Sequence, residues 1–323
     1  MAEIVVNKFR KADERVWNNF VAAAKNATFL FHRSYIDYHA DRFTDHSLLL
    51  YCKGKLKALF VAHESGSSII SHGGLSYGGL ILEKEVKLEE VLSFFFHLLN
   101  YYHQHRFTSV VYKCLPAYYA LFPSQEDLYA MFLLRASLIH RDTSLVFSLS
   151  SQLPYQQMKR RNIKKGKSAG YKIVASSDPK TFWNTVLIPN LKNRFDSAPV
   201  HSLPEIKKLM KLFPENIQLY EVYSHEILGG VLLYVTDQVA HCQYISATSE
   251  GKEGKALDFL FHKLLQEIYA DKHFFSFGTS NGEEEHHINK GLVKWKEGFG
   301  ARTFAIDCYQ IETVNYNLLL RYA

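Results

Sequence analysis

Two glycines and two lysines lie in one short segment that could hold a phosphate group. The segment joins a predicted strand, residues 239–247, to a predicted amphipathic helix, residues 256–269. The N-terminus of a helix presents backbone N–H groups and the positive end of the helix dipole, which favour anions. The segment therefore predicts a phosphate site with extra charge from the lysines, and an ordinary solvated loop is the alternative. It reads Gly251-Lys252-Glu253-Gly254-Lys255-Ala256.

A second concentration of positive charge lies in the middle of the chain. Its basic residues are Lys159, Arg160, Arg161, Lys164, Lys165 and Lys167. Residues four apart share one face of a helix, so Arg160 with Lys164 and Arg161 with Lys165 form two adjacent basic rows. The rows suit the phosphates of RNA or of a nucleotide-linked substrate, and a solvated basic helix face is the alternative. Nothing else in the sequence extends this patch into a groove-reading module, so DNA is not a predicted partner.

A third candidate is the stretch of residues 274–309. It is predicted to form a strand, a glycine-rich exit, a short helix and a second strand. Such a unit opens a mouth beyond the carboxyl end of a buried strand, where α/β folds bind ligands. The short helix carries Lys294, Trp295 and Lys296. We therefore expect a binding mouth with a cationic and aromatic edge.

Two further segments contain residue types used in binding. The glycine-rich segment 71–79, which includes Tyr77, could shape a substrate cleft between two domains, although a tightly packed hairpin needs no function. The pair His286-His287 follows three glutamates, but adjacent histidines point apart on regular structure. A solvated polar loop accounts for this pair, and no metal site is predicted.

The composition is that of a globular chain. Apolar residues make up 47% and aromatic residues 14% of the sequence, which is enough for sizeable cores. The four cysteines are scattered and form no Cys-x-x-Cys pair, so buried thiols in a reducing compartment are expected. The N-terminus lacks a secretory signal pattern, and the longest apolar run is too short to cross a bilayer. We expect a cytoplasmic protein with no membrane span and no tightly bound cofactor.

The order of predicted elements repeats along the chain. Each half contains helices, three strands, a loop, a helix, a strand, a helix and a strand. This repetition predicts an α/β (α+β) chain of two domains with the same fold, residues 1–152 and 153–323. Each domain is expected to have a mixed central sheet flanked by helices, with the ligand-binding mouth in the second.

The order of elements in each half resembles the GNAT acyltransferase fold. In that family a loop with the pattern Gln/Arg-x-x-Gly-x-Gly/Ala holds the pyrophosphate of an acyl-CoA. Gly254-Lys255-Ala256 matches the end of the pattern, whereas Gly251 stands where Gln or Arg is expected. The resemblance implies that the segment 251–256 binds the phosphates of a donor.

Three motifs resemble the Fem-type aminoacyl/acyltransferase family, which is built from two GNAT-like domains. The segment 160–170 is similar to that family's Arg-rich helix ending in Ala-Gly. Phe277-Gly278-Thr279-Ser280 is similar to its Asp-Phe-Gly-type strand exit, with Ser276 in place of the acid. Trp295-Lys296-Glu297-Gly298-Phe299-Gly300 is similar to its Phe-Lys-x-x-Phe-Gly signature, with Trp295 in place of the first Phe. The likeness covers nearly the whole chain through its domain pattern.

The resemblance implies transfer of an acyl or aminoacyl group to an amine acceptor. The donor would be acyl-CoA or aminoacyl-tRNA, and the acceptor a small molecule or a peptide such as a cell-envelope precursor. Lys296 would stabilise the oxyanion of the tetrahedral intermediate, with Trp295 packed beside it. The long helical arm of the tRNA-using members is absent, which favours a small acyl donor or a different contact with tRNA.

The resemblance also implies anion or acceptor contacts outside this motif. They fall on Arg33, Arg42, Tyr77, Arg160, Arg161 and Lys164. A non-catalytic binding module that keeps the fold is the first alternative function, and Gly251 and the lack of a catalytic acid favour it. An RNA-binding protein that uses the basic helix is the second.

Overall fold

The computed structural model describes residues 3–281 and 287–323, and of residues 194 and 195 only the backbone. The chain forms two compact units. Unit 1 comprises Met1–Asp142 together with Ala305–Ala323, and unit 2 comprises Thr143–Phe304.

Unit 1 contains short strands and a long buried helix. Its strands are β1 (Ile4–Lys8), β2 (Thr44–Asp45), β3 (Leu48–Cys52), β4 (Lys55–Phe60), β5 (His63–Ser65), β6 (Ser68–Ile70), β7 (Leu80–Leu82), β8 (Ser109–Lys113) and the first part of β9 (Ser137–Ser148). Its helices are α1 (Glu14–Ala23), α2 (Arg33–Ile36), α3 (Leu88–Gln104), α4 (Glu126–Leu133) and the C-terminal 3₁₀ segment Thr313–Tyr322. The antiparallel order β1-β3-β4-β7 forms one sheet, and β6 pairs in parallel with β8 in another.

Helix α3 packs its apolar face into the core of this unit. Glu89 and Glu90 lie in its first turn, where negative charge complements the helix dipole. Its apolar face shares one buried core with strands β3, β4 and β8. Burial of that face, rather than helix propensity alone, stabilises the helix.

The sheet of unit 2 consists of antiparallel strand pairs and one parallel pair. Its helices are α5 (Gln157–Ser168), α6 (Ile188–Phe195), α7 (Leu203–Leu212), α8 (Ser249–Glu253), α9 (Ala256–Lys263) and α10 (Lys290–Glu297), with π-helical turns at Phe182–Leu187 and Leu264–Ile268. Its strands are β10 (Lys172–Ser176), β11 (Ile217–Tyr223), β12 (Ile227–Val235), β13 (Val239–Ala247), β14 (Phe274–Thr279) and the start of β15 (Arg302–Glu312). The strand order is β10-β11-β12-β13-β14-β9.

The parallel step between β13 and β14 opens the sheet. The two strands pair only at Val239–His241 and Phe274–Ser276, near their N-terminal ends. Strand β13 then continues to Ala247 beside β12, with a bulge at Gln243. We call the gap beyond the pair His241–Ser276 the strand split. A gap of this kind exposes backbone groups and side chains of both strands to one space.

The structure differs from the sequence predictions in the boundary between its units and in the segment after β13. The boundary at residues 152/153 lies later than the boundary between the compact units, and the C-terminal residues belong to unit 1. The reason is strand pairing, because β15 pairs with β8 from Cys308 opposite Lys113 to Glu312 opposite Ser109. The segment after β13 was predicted as a loop, but Ser249–Glu253 forms the one-turn helix α8, capped by the side chain of Thr248.

Candidate functional site

Helix α10 carries Trp295 and Lys296 and has clear ends. The Asn289 side chain accepts a hydrogen bond from the Leu292 N–H at 3.0 Å and caps its N-terminus. The chain turns away at Gly300, which has a φ of +95° that favours glycine. Consecutive helical residues are rotated by about 100°, so Trp295 and Lys296 enter different surroundings.

The Lys296 ammonium group lies at the strand split. It donates hydrogen bonds to the carbonyl oxygens of Gly278 at 3.0 Å and Thr279 at 2.5 Å. The side chain is buried, with 2% of the residue exposed. Burial lowers the pKa of Lys296 to about 8, because desolvation disfavours the charged form. The ammonium form therefore predominates at neutral pH and is lost in mildly alkaline solution.

The end of β14 is shaped to present these carbonyl groups. Gly278 has a φ of +70°, a conformation that side chains rarely adopt. Its N–H donates to Ser276 Oγ at 3.2 Å. The glycine exit seen in the sequence thus turns two consecutive carbonyl groups toward one ammonium group.

His241 occupies the base of the split and was missed by the sequence analysis. Its Nδ1 lies 2.9 Å from Ser276 Oγ, which lies 3.2 Å from Ser144 Oγ. Burial, and then the nearby charge of Lys296, lower the pKa of His241 to about 4. The only sequence signal was a polar residue inside an apolar strand, because the register of β13 against β14 cannot be read from either strand alone.

Trp295 contacts a buried ion pair on the other side of α10. Its indole N–H donates to Asp258 Oδ1 at 2.7 Å, and Lys159 Nζ donates to the same oxygen at 2.6 Å. Asn162 donates to the second carboxylate oxygen at 2.6 Å. The Lys159 ammonium lies 4.5 Å from the Trp295 ring centroid and 4.2 Å from that of Phe299, within cation–π range.

The ion pair joins three helices of unit 2. Lys159 belongs to α5, Asp258 to α9 and Trp295 to α10, and only 5% of Lys159 and 2% of Asp258 are exposed. Burial lowers the pKa of Lys159 to about 8, although the Asp258 charge opposes the shift. Lys159 is thus buried, although it belongs to the basic segment that the sequence predicts to lie at the surface.

The same three helices enclose a cleft of about 450 Å³. The cleft brings together parts of all three sequence candidates: the segment after β13, the basic helix and α10. Its lining includes Lys159, Asn162, Gly251, Lys252, Lys255, Asp258, Lys294 and Trp295. The side chains of Lys252, Lys255 and Lys294 are exposed, so the cleft carries more positive than negative charge. Lys296 does not line this cleft.

The backbone of the predicted phosphate loop is already hydrogen-bonded. The N–H groups of Gly251 and Lys252 donate to the side chain and the carbonyl of Thr248. Those of Gly254 and Lys255 donate to Glu250 and Lys252. Any phosphate contact here therefore rests on the lysine side chains and the first turn of α9 rather than on these amides.

The structure explains the glycine at position 251. A Cβ atom there would lie 2.0 Å from the carbonyl oxygen of Leu228, which is backbone and cannot move aside cheaply. Glutamine or arginine cannot occupy this position on the present backbone. Gly254 is similarly close-packed, against the Tyr171 hydroxyl, and Ala256 is fully buried at the start of α9.

We expect Gly251→Ala to lower the free energy of unfolding by about 1–3 kcal/mol, the usual cost of overpacking. Gly291→Ala is the matched control, because its Cβ would meet nothing closer than 3.5 Å and alanine favours a helix. Urea unfolding of the two variants measures the difference. Equal stability of the two would show that α8 adapts freely and that the contact with Leu228 does not explain Gly251.

Three of the other predicted site residues belong to unit 1. In unit 1, Arg33 is buried, stacks on Phe9 at 3.8 Å and forms ion pairs with Asp37 and Asp45. Arg42 is exposed, and Tyr77 is buried with its hydroxyl donating to Thr28 at 2.9 Å. These contacts hold the side chains of Arg33 and Tyr77 within unit 1.

The other basic side chains of α5 face solvent. Arg160, Arg161 and Lys164 are exposed on α5, whereas Ile163 and Gly166 are buried. A Cβ at Gly166 would lie 2.6 Å from Phe259, so a glycine allows α5 to approach α9 closely. The two basic rows predicted from the sequence are therefore present at the surface of α5.

Among the residues that the structure describes, no group of three or more His, Cys, Asp or Glu side chains could hold a metal ion. The segment Glu283–His286 considered in the sequence analysis lies outside the described residues. None of the described helices is both long and apolar enough to cross a membrane.

The fold resembles that of several solved structures at low sequence identity. FemX matches with a TM-score of 0.66 and 9% identity, over 93% of this chain and 96% of FemX. The C-terminal domain of a protein named as a lysylphosphatidylglycerol synthetase in Agrobacterium fabrum matches with a TM-score of 0.58 and 12% identity, over 97% of this chain and 95% of that domain. L-PGS from Bacillus licheniformis matches with a TM-score of 0.50 and 10% identity, over 82% and 86% of the two chains.

These matches confirm the predicted fold class. The chain has a mixed α/β, Fem-like fold, and the structural match to FemX covers 93% of it. No model of a known protein family matches the sequence, and no curated protein matches it. At identities of 9–12% the solved structures establish the fold and not the activity.

Proposed function

We propose that the protein is an acyltransferase that moves an acyl or aminoacyl group from an activated donor to an amine. The observation that carries the proposal is the Lys296 ammonium group at the strand split, bonded to the carbonyls of Gly278 and Thr279. A lysine has three N–H donors, and these two bonds leave a third for a substrate oxygen. A cation held in place with little exposure stabilises negative charge more strongly than one in water.

The chemistry assigned to Lys296 is oxyanion stabilisation. The amine nitrogen attacks the acyl carbonyl carbon, and the carbonyl oxygen gains negative charge. Lys296 donates to that oxygen, and two backbone carbonyls orient the ammonium before the reaction starts. Preorganised donors of this kind act without a further reorganisation cost during the step.

The cleft beside α10 supports an anionic donor. Lys252, Lys255 and Lys294 lie at its surface, and the exposed row of Arg160, Arg161 and Lys164 lies on the same helix as the cleft residue Lys159. Both acyl-CoA and aminoacyl-tRNA carry phosphates that such cations attract. Because the backbone amides of the segment 251–255 are already hydrogen-bonded, binding of the donor through lysine side chains is favoured. The Agrobacterium fabrum relative is named as a lysylphosphatidylglycerol synthetase.

The test is a transfer assay with two donor classes. Purified protein is incubated with a lysine-containing pentapeptide and either radiolabelled acetyl-CoA or total tRNA charged with labelled amino acids. We expect label to move to the peptide from one donor class and not from heat-denatured protein. Binding of a donor without transfer to any of a panel of amines, including a lipid-linked amine, would favour the binding module instead. Retention of RNA by the protein with no transfer, and loss of that retention as salt rises, would favour RNA binding.

A further inference from the structure

Amide formation at this site needs a group that takes a proton. The attacking amine carries one proton too many once its nitrogen has bonded to the acyl carbon. Lys296 cannot accept it while it serves as the ammonium donor. The aspartate nearest to α10, Asp258, already accepts from Lys159, Asn162 and Trp295.

We propose that His241 accepts this proton and passes it to the leaving group. The inference rests on the acyl-transfer function proposed above. Its first support is position, because His241 is the last residue of β13 that pairs with β14 before the strands separate. The ring lies beside Gly278, with Cε1 about 3.4 Å from the place where a Cβ of that glycine would be. Gly278 is the residue whose carbonyl binds Lys296.

The second support is the orientation of the ring. Nδ1 faces Ser276 Oγ at 2.9 Å, and Ser276 also accepts the Gly278 N–H. If Nδ1 carries the proton and donates to Ser276, Nε2 is the basic nitrogen of the neutral imidazole. In that tautomer Ser276 has a positioning role, since its oxygen accepts the Nδ1 proton and fixes the ring. Ser276 is also the residue that replaces the acid of the resembled Asp-Phe-Gly pattern.

Atoms and electrons are conserved in the proposed transfer step. The amine lone pair forms the new C–N bond, and the carbonyl π electrons move to the oxygen beside Lys296. The N–H proton moves to Nε2 of His241. The carbonyl re-forms as the bond from carbon to the donor oxygen or sulfur breaks, and that leaving atom takes the proton from His241. The products are an amide and a free hydroxyl or thiol, with His241 neutral again.

The charge of Lys296 makes the basicity of His241 depend on the progress of the reaction. Burial and the Lys296 charge hold the pKa of His241 at about 4 in the resting protein. Lys296 is the charged group that acts on the ring from α10, and Ser276 faces it from β14. Negative charge on the substrate oxygen would offset the ammonium charge, so the imidazole becomes more basic in the step that needs a base. The resting histidine stays neutral and ready at physiological pH.

The test compares wild-type protein with His241→Gln, Ser276→Ala and His262→Gln, using acetyl-CoA or charged tRNA with the pentapeptide. We expect His241→Gln to lower kcat by 10²–10⁴-fold with little change in KM, as for loss of a general base. Ser276→Ala should cause a smaller loss. His262 is the matched control, a histidine of the same unit whose pKa is also lowered, by burial, but which lies on α9 outside the split. His262→Gln should keep its activity within twofold.

A second measurement does not depend on turnover. Nuclear magnetic resonance titration of His241 in Lys296→Met should give a pKa above that in the wild-type protein, because the Lys296 charge that lowers the pKa is removed. His241→Asn serves where the glutamine variant fails to fold. Active wild-type protein with unchanged kcat in folded His241 variants, or a His241 pKa that does not respond to Lys296, would overturn the proton role alone. Absence of transfer by the wild-type protein would overturn the proposed function and this inference with it.

Discussion

Replacement of Lys296 by methionine should lower the transfer rate by about 10²–10³-fold, the effect typical of losing one oxyanion donor. Methionine keeps the length and the apolar contacts of the side chain and removes only the ammonium group. The loss should fall on kcat, because the charge on the substrate oxygen is greatest in the transition state. Initial rates with the donor that supports transfer, at saturating and limiting acceptor, measure the two constants. A kcat within threefold of the wild type would contradict the role of Lys296.

The controls for this variant separate chemistry from folding. Lys290→Ala changes an exposed lysine in the first turn of the same helix and should leave the rate unchanged. Lys296→Met leaves the carbonyls of Gly278 and Thr279 without their donor, so some loss of stability is expected as well. Far-ultraviolet circular dichroism and a thermal unfolding curve establish that the variant is folded at the assay temperature.

The pH dependence of the rate gives an independent check on the same residue. The pKa of Lys296 is lowered to about 8, so the ammonium form is present below that pH and is lost above it. The wild-type rate should therefore decline as the pH rises through about 8. Lys296→Arg, which stays charged, should lack this decline even if its rate is low.

Removal of the Asp258 carboxylate should cause the largest loss of stability. Asp258→Ala leaves the Lys159 ammonium buried without its partner, and breaking a buried ion pair in this way costs about 3–5 kcal/mol. It also removes the acceptor of the Trp295 indole, which ties α10 to α9. The free energy of unfolding from urea titration measures the cost. A loss below 1 kcal/mol would show that the pair does not hold the three helices together.

The pH dependence of this cost follows from the charge of Lys159. Without Asp258 the folded protein favours the neutral amine, so the pKa of Lys159 falls further below its usual value. Folding must then release a proton below the pKa of the unfolded lysine, and the variant loses stability as the pH falls. The deficit relative to wild type should be larger at pH 6 than at pH 9.

Two further variants test whether the ion pair, and not the volume of the side chain, is responsible. Asp271→Ala removes an exposed carboxylate in the turn after the same helix and should change the stability by less than about 0.5 kcal/mol. The double variant Asp258→Leu with Lys159→Met replaces both charges by apolar groups. It should recover much of the stability that the single variant loses, because no buried charge remains unpaired.

The structure restricts where acyl transfer could take place more than the motifs did. The motifs put Trp295 and Lys296 in one site, whereas the structure turns Lys296 into the strand split and Trp295 toward Asp258. The segment predicted as an open glycine loop forms the helix α8, and its backbone N–H groups are already hydrogen-bonded. The donor is therefore expected to be bound mainly by lysine side chains, and the reacting carbonyl to lie in the split.

Local rules of the sequence determined several features of this site. The glycine-rich exit predicted the turn at Gly278, and the sequence predicted a short helix where α10 forms. The four-residue spacing of Arg160 and Lys164 predicted an exposed basic row. These features could be read because glycine conformation and helical periodicity act over a few residues.

Only the tertiary structure decided which distant residues meet. Lys159 and Asp258 are separated by 99 positions, so no local pattern marked one as buried or the other as its partner. The pairing of His241 with Ser276 depends on the register of two parallel strands joined by a long connection. Gly251 departs from the phosphate-loop pattern because the Leu228 carbonyl oxygen lies 2.0 Å from where its side chain would begin. Packing between helices and strands far apart in the chain set each of these contacts.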